Sequence, residues 1–490
     1  MRPMLALAVI ASMGASLPWG PPAKAAPAAP AQVKPQAPAT ARAPFETRSL
    51  PGSNAVLYAM QDNRLPRVWY DMYLEAGERY VPGRLAGLTS LAAEVLDRGP
   101  STTPYETYRR DLFRQGVEIS WEPTNHFMIA HVKCRPDQLA ATTRLVRQTA
   151  AHPRLDAATF NQLKGRVITQ RQSMDDDMRT LTLHYANQKL WDFHPNVRRP
   201  EGWAETMGAI TREDLAQYFG ARLKQPGAYM SAAGPLPPSQ LAAGVGPAVA
   251  GWIKPYAFQR AETPAVAPAR RVILVDKPGA QDNQIYMLTP INVALTSREA
   301  AAAEVFLAGM GYGLGARLGK ALRVERGLTY HASSSLRRSE WPTWYAYSFG
   351  ANLKAPQIVS GFFELFEAAK GGLTDQEVTL AKDQLIKAHA NEMETPPDQM
   401  RAVAAAVAQG LPPTYPFLRP QLLKSVTAAD VKAQAQAIGA LNGSMLVVMG
   451  DASEMQQPIT AALPKGSELI VTKLSDLPKE GLKPGTQVRP

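Results

Sequence analysis

The 490-residue chain has a single cysteine, Cys134, so it can build neither an internal disulfide nor a cysteine-based zinc cluster, and its stability has to come from buried apolar surface. After the first residues no apolar stretch reaches the roughly 18 residues needed to span a bilayer, so no integral membrane segment is expected. There is no run of five or more like charges and no basic stripe interleaved with aromatics. The excess of 53 Lys+Arg over 42 Asp+Glu therefore lacks the footprint of a nucleic-acid-binding protein. Histidine is scarce: the seven, at 126, 131, 152, 184, 194, 331 and 389, include no pair four apart, the spacing that puts two imidazoles on one helical face. Hydrophobic residues are plentiful at 45%, which excludes global disorder, and the length calls for two or more domains.

The first residues read as an address. Arg2 supplies a positive charge, Met4 to Leu17 is apolar, and Ala23-Lys24-Ala25 is an A-x-A cleavage site. Residues 1–25 are thus expected to be a signal peptide, and no cysteine follows to serve as a lipoprotein anchor. The expected location is exported, periplasmic. Loss of Arg2 and Lys24 lowers the formal charge from +11 to +9. Residues 26–44, rich in Ala and Pro, read as an extended tether.

The rest reads as a duplication. Ile210-Thr211-Arg212-Glu213-Asp214-Leu215 is echoed 216 residues later by Val426-Thr427-Ala428-Ala429-Asp430-Val431. The strand-like run ending at Gly234 has its counterpart ending at Gly450, at the same offset. Leu155-Asp156 with Lys164 resembles Leu373-Thr374-Asp375 with Lys382 at a slightly different one. The halves fall at 45–234 and 271–463, with a Pro/Ala/Gly-rich linker at 235–270 and a tail at 464–490. Each opens with strands, passes through long helices and closes on a strand. The expected class is α+β, two homologous halves of antiparallel sheet with helices packed on it, in a clamshell arrangement.

In the first half, Val68–Leu74 is strand-like, and Leu88, Leu91, Ala92, Val95 and Leu96 make one buried helical stripe. Pro104 then opens a second helix that Gly116 ends, and a strand follows. The run Leu85 to Gly99, with Gly116 beyond it, resembles the insulinase/pitrilysin-type (inverzincin) zinc metallopeptidases, whose members carry H-x-x-E-H on this helix. The run Leu318 to Tyr330 is similar to the same family's L-R-x-x-x-G-L-x-Y signature, and the resemblance extends over roughly 44–463.

The positions matching the zinc motif are Ser90, Ala93 and Glu94, so both histidines and the base are missing. No Glu occurs from Pro123 to Pro200, where the family places its third ligand, and Gln170 or a neighbour stands there instead. The resemblance therefore implies a zinc-lacking, non-catalytic subunit type, with no metal or cofactor in this chain and zinc expected in a partner. What remains is Arg323 and Tyr330. An Arg in the last turn of a helix stopped by Gly327 can aim a charged donor fork at a peptide carbonyl, and a Tyr hydroxyl just beyond can donate to a developing oxyanion.

The segment with Gly311, Gly313 and Gly315 lacks the preceding strand a dinucleotide site requires. It resembles a substrate-binding loop of zinc-lacking subunits, or it simply permits a tight turn between helices. Asp175-Asp176-Asp177 reads as a solvated helix end, and His126 and His131, five apart in a strand-like run, fall on opposite faces. The expected partners are a zinc-bearing paralogous peptidase subunit and peptide substrates; the alternative is a non-enzymatic peptide-binding or scaffold protein that keeps the fold.

Overall fold

The computed structural model describes residues 43–476 apart from 65, 176, 225, 253 and 268. The expected signal peptide, nearly all of the tether and Asp176 lie outside the described residues. The strands are Glu46–Ser49 (β1), Val56–Gln61 (β2), Val68–Leu74 (β3), Glu118–Pro123 (β4), Met128–Cys134 (β5), Ala228–Gly234 (β6), Arg271–Asp276 (β7), Asp282–Pro290 (β8), His331–Arg337 (β9), Thr343–Ala351 (β10), Met445–Gly450 (β11) and Glu468–Lys473 (β12). They form two six-stranded sheets, ordered β1-β2-β6-β3-β5-β4 and β12-β7-β11-β8-β10-β9. The first half contributes helices Leu88–Leu96 (α1), Tyr105–Gln115 (α2), Leu139–Ala151 (α3), Ala157–Asp175 (α4), Met178–Leu190 (α5), Ala204–Ala209 (α6), Arg212–Tyr218 (α7) and Pro238–Val245 (α8). The second contributes Arg298–Gly311 (α9), Ala355–Ala368 (α10), Asp375–Glu392 (α11), Pro396–Ala408 (α12), Tyr415–Ser425 (α13), Ala428–Gly439 (α14) and Ala452–Ala462 (α15).

The α+β class and the two similar halves are as the sequence indicates. Each sheet is mixed rather than wholly antiparallel, because β2 pairs with β6, and β7 with β11 and β12, in parallel. The duplication extends to single bonds. Thr211 and Asp214 form a capping box on α7, and Thr427 and Asp430 form the same box on α14. Lys164 Nζ donates to the carbonyls of Gly208 and Ile210, and Lys382 Nζ to those of Lys424 and Val426.

Two boundaries shift. Within the expected linker, Leu241, Ala242, Val245, Ala248, Val249 and Trp252 all enter the first core, so the chain leaves that half only beyond Trp252. The expected tail supplies β12, which pairs with β7 and packs Leu469 and Ile470 against the cores on the two faces of the second sheet.

The central strands of each sheet bury both faces, so β6 and β11 are buried along their whole length. Leu57, Tyr70, Met72 and Val132 face the helices of their own half. On the opposite face Met60, Tyr73, Ile129 and Tyr229 meet α12 of the second half through Met400, Val403 and Ala404. The exchange is reciprocal: Leu181, Tyr185 and Ala186 of α5 cover Ile273, Tyr286, Leu288 and Val447 of the second sheet.

Candidate functional site

The residues at the motif positions are held by α1. Its N-terminus is fixed by the fully buried Glu78, which accepts from Gly87 N at 2.8 Å and from Thr89 Oγ1 at 2.5 Å. A carboxylate there satisfies free amides and suits the helix dipole. At the other end Asp97 accepts from the backbone N–H of Trp121 at 3.0 Å, tying α1 to the edge strand β4; burial raises its carboxyl to about 7.

α4 lies against the α1 face that carries Ser90, Ala93 and Glu94, and it brings arginine. Arg171 is buried and donates through Nη2 to Ser90 Oγ at 3.2 Å. One and a half turns earlier, Arg166 Nη2 pairs with Glu94. Ala93 is buried in the core. Sequence reasoning placed the lost third ligand at Gln170 or a neighbour, and Arg171 is the neighbour that reaches the motif.

This set does not fit zinc. A guanidinium has no lone pair to give and repels a dication, a serine hydroxyl is a poor ligand, and the one carboxylate is already paired. Among the described residues no three His, Cys, Asp or Glu side chains converge as a metal site. Cys134 is buried in the first core, where burial lifts its thiol to about 11.

Arg323 and Tyr330 stand on the segment of the second half that leads into β9. Arg323 sits in a π-wound turn, Gly319–Glu325, that Gly327 terminates with φ +58°. Neighbouring arginines are engaged, Arg317 with Glu377 and Arg326 with Glu364. Arg323 is exposed, and its charge, after burial and Arg179, helps lower the pKa of His331. Tyr330 is 70% exposed, its ring 5.9 Å from that of Phe349. Both are therefore presented outward, with β9 beside them as a sheet edge unpaired among the described residues.

The glycines divide. Gly311 closes α9 where a Cβ would lie 2.0 Å from Ser334 N, so it is a packing glycine between helix and strand. Gly313, at φ +89°, makes the turn, and with Gly315 it has open space around it. Tyr312 and Leu314 stand exposed on this turn.

Two polar clusters were not foreseen. On the α12 side of the first sheet, His131 is gripped by Asp71 Oδ1 at 2.7 Å and Glu122 Oε2 at 2.9 Å, and Arg401 of α12 reaches Asp71 Oδ2 at 3.4 Å. The available signal was Asp71 breaking an otherwise apolar strand. In the second half, buried Glu304 meets both Arg338 and Arg419. Its signal was a carboxylate in the middle of an Ala-rich helix, past the first turn where Glu299 sits. His126 lies on the loop before β5, bonded to Arg79 and near Glu340, apart from His131.

Residues 209–385 match a family model described as the peptidase M16 inactive domain. The mitochondrial cytochrome b-c1 complex subunit 1 of Bos taurus is 20% identical over 196 residues, 40% of this chain and 41% of that protein. The chain thus spans about two-fifths of the length of the curated relative it matches. A peptidase M16 inactive domain from Pseudomonas fluorescens superposes with TM-score 0.72 at 18% identity, covering 83% of this chain and 98% of that one. The first half of the periplasmic protease PqqL from Escherichia coli gives TM-score 0.67 at 12% identity, covering 86% and 96%.

Proposed function

We propose that this chain is a zinc-lacking subunit of an exported peptidase of the M16 kind, pairing with a zinc-bearing paralogue and supplying Arg323 and Tyr330 to the hydrolysis of peptides; the match of residues 209–385 to the M16 inactive domain and the likeness of fold support this reading. The observation that carries this reading is the contrast between the two ends of the molecule. The metal position of the first half is filled from within by Arg171 and Ser90, whereas Arg323 and Tyr330 are kept exposed.

In this scheme the partner brings the metal and the general base. This chain brings a guanidinium for a peptide carbonyl and a phenol for the tetrahedral oxyanion, donors that act most strongly where charge develops. An extended peptide is held as an added strand on an open sheet edge, and β4 and β9 are the edges nearest the two regions. Main-chain pairing of this kind tolerates many sequences.

The test is reconstitution. The purified chain is mixed with a zinc-bearing relative from the same source, and peptide hydrolysis is followed. Arg323→Ala and Tyr330→Phe are each expected to lower kcat on the order of a hundredfold, with assembly and thermal stability unchanged. Full activity in both variants leaves the scaffold reading. That second reading is favoured by one finding, the likeness to a subunit of a cytochrome b-c1 complex.

A further inference from the structure

The second half holds a charged recess outside the region discussed above. Glu304 of α9 is shared by two guanidiniums, Arg338 Nε at 3.2 Å from Oε1 and Arg419 Nη2 at 3.1 Å from Oε2. Two cations on one anion leave a positive charge uncancelled. Arg338 also donates to the hydroxyl of Tyr415, which in turn donates to Leu295 O at 2.9 Å. Arg419 Nε is buried and has no hydrogen-bond partner among the described residues. A buried donor left unpaired is costly, so the protein's own groups satisfy this floor incompletely.

In front of this floor lies a cavity of about 420 Å³, walled by Ala308, Leu336, Leu385, Ala402 and Leu411. His389 is already engaged: its Nε2 donates to Pro416 O at 2.8 Å, and burial lowers its pKa. Glu392, whose side chain is 72% exposed, contributes the one carboxylate at the rim, and exposed Tyr312 of the glycine turn stands at the mouth. The place repeats that of the first-half motif. α9 and α11 are the counterparts of α1 and α4, and His389 stands 218 residues after Arg171, as Lys382 does after Lys164.

We propose that this recess binds a small organic carboxylate carrying an apolar tail. At the floor the guanidinium pair outnumbers Glu304 by one charge, the Glu392 carboxylate being solvent-exposed at the rim, and that local excess suits a monoanion with planar, bidentate geometry. A phosphate dianion would leave charge unmatched against the alanine and leucine walls. Apolar walls on one side and convergent polar groups on the other suit an amphipathic small molecule. The same chemistry is offered by the free C-terminal residue of a peptide and by a short acyl chain.

The test is calorimetric titration of the full chain with N-acetylleucine and hexanoate, set against N-acetylleucinamide, hexanamide and inorganic phosphate. Both carboxylates are expected to bind saturably and the amides and phosphate not to bind; tighter N-acetylleucine marks the peptide source, tighter hexanoate the acyl source. Arg419→Gln should lose roughly tenfold or more in affinity, the size of one charge-assisted hydrogen bond. Ala405→Trp places bulk at an exposed lining position and leaves the Glu304 cluster intact, so it should abolish binding in a folded chain. Equal binding of amides, no saturable binding of either carboxylate, or unchanged binding in Ala405→Trp would overturn the proposal.

Discussion

Arg171 Nη2 lies 3.2 Å from Ser90 Oγ with both side chains buried, so a cation supplied by α4 occupies the α1 face that carries the zinc-motif positions. A dication brought to that face meets a permanent charge instead of lone pairs. The purified chain, dialysed against zinc and passed over a sizing column, is accordingly expected to retain far less than one equivalent by elemental analysis. Zinc retained at one to one would refute the reading. Replacing Ser90 and Glu94 by histidine should not restore binding while Arg171 remains.

Lys164 and Lys382 each tie a long helix to two carbonyls at the end of a neighbouring segment. Charge-assisted hydrogen bonds are worth about 1.5 to 3 kcal/mol each where water is excluded, less where it is not. Lys164→Met and Lys382→Met should therefore destabilise by similar amounts, on the order of 1 to 2 kcal/mol, read from denaturant midpoints. A cost confined to one of them would mean that the duplicated contact no longer does the same work in both halves.

These lysines mark what was legible in the sequence. Turn glycines and stripes of Leu and Val are local, so Gly116 and the α1 face could be read directly. The recurrence of Thr211 and Asp214 as Thr427 and Asp430 marked the duplication. The capping box expected from Thr103 to Glu106 does not form, and Pro104 itself stands at the cap. The exchange of α5 and α12 could not. A helix packed on a sheet of the other half shows the same periodicity as one packed at home, and only the fully buried runs of β6 and β11 hinted at a second covering layer. Arg171 was hidden for a related reason. A long-range partner is chosen by the packing of α4 on α1, and its residue type resembles no ligand. The parallel pairs were missed because pairing direction leaves no trace in an apolar strand.

The exchanged helices should make the halves one cooperative unit. Val403 of α12 is fully buried against Met60, Ala233 and Met400, a cluster spanning both halves. Val403→Asp puts an unpaired carboxylate there, at a cost on the order of 3 kcal/mol or more. Calorimetry is expected to show a single transition moved to lower temperature. Two separated transitions, only one of them shifted, would show that each half folds without the other's helix.

His131 couples the same interface to pH. Burial alone would lower its pKa; the hydrogen bonds to Asp71 and then Glu122 outweigh burial and raise it to about 9. Glu122 responds in kind, its pKa lowered chiefly by the bond from His131. A histidine whose folded pKa exceeds its unfolded value of about 6.5 stabilises fully below that pH. The contribution is then lost as pH rises through about 9. Arg401 of α12 shares Asp71, so the loss is felt between the halves. Compared with His131→Gln, the unmodified chain should lose about 2 to 3 kcal/mol more between pH 6 and 9, measured by urea unfolding at each pH. Parallel stability curves for the two proteins across that window would show that the imidazolium between Asp71 and Glu122 holds nothing together.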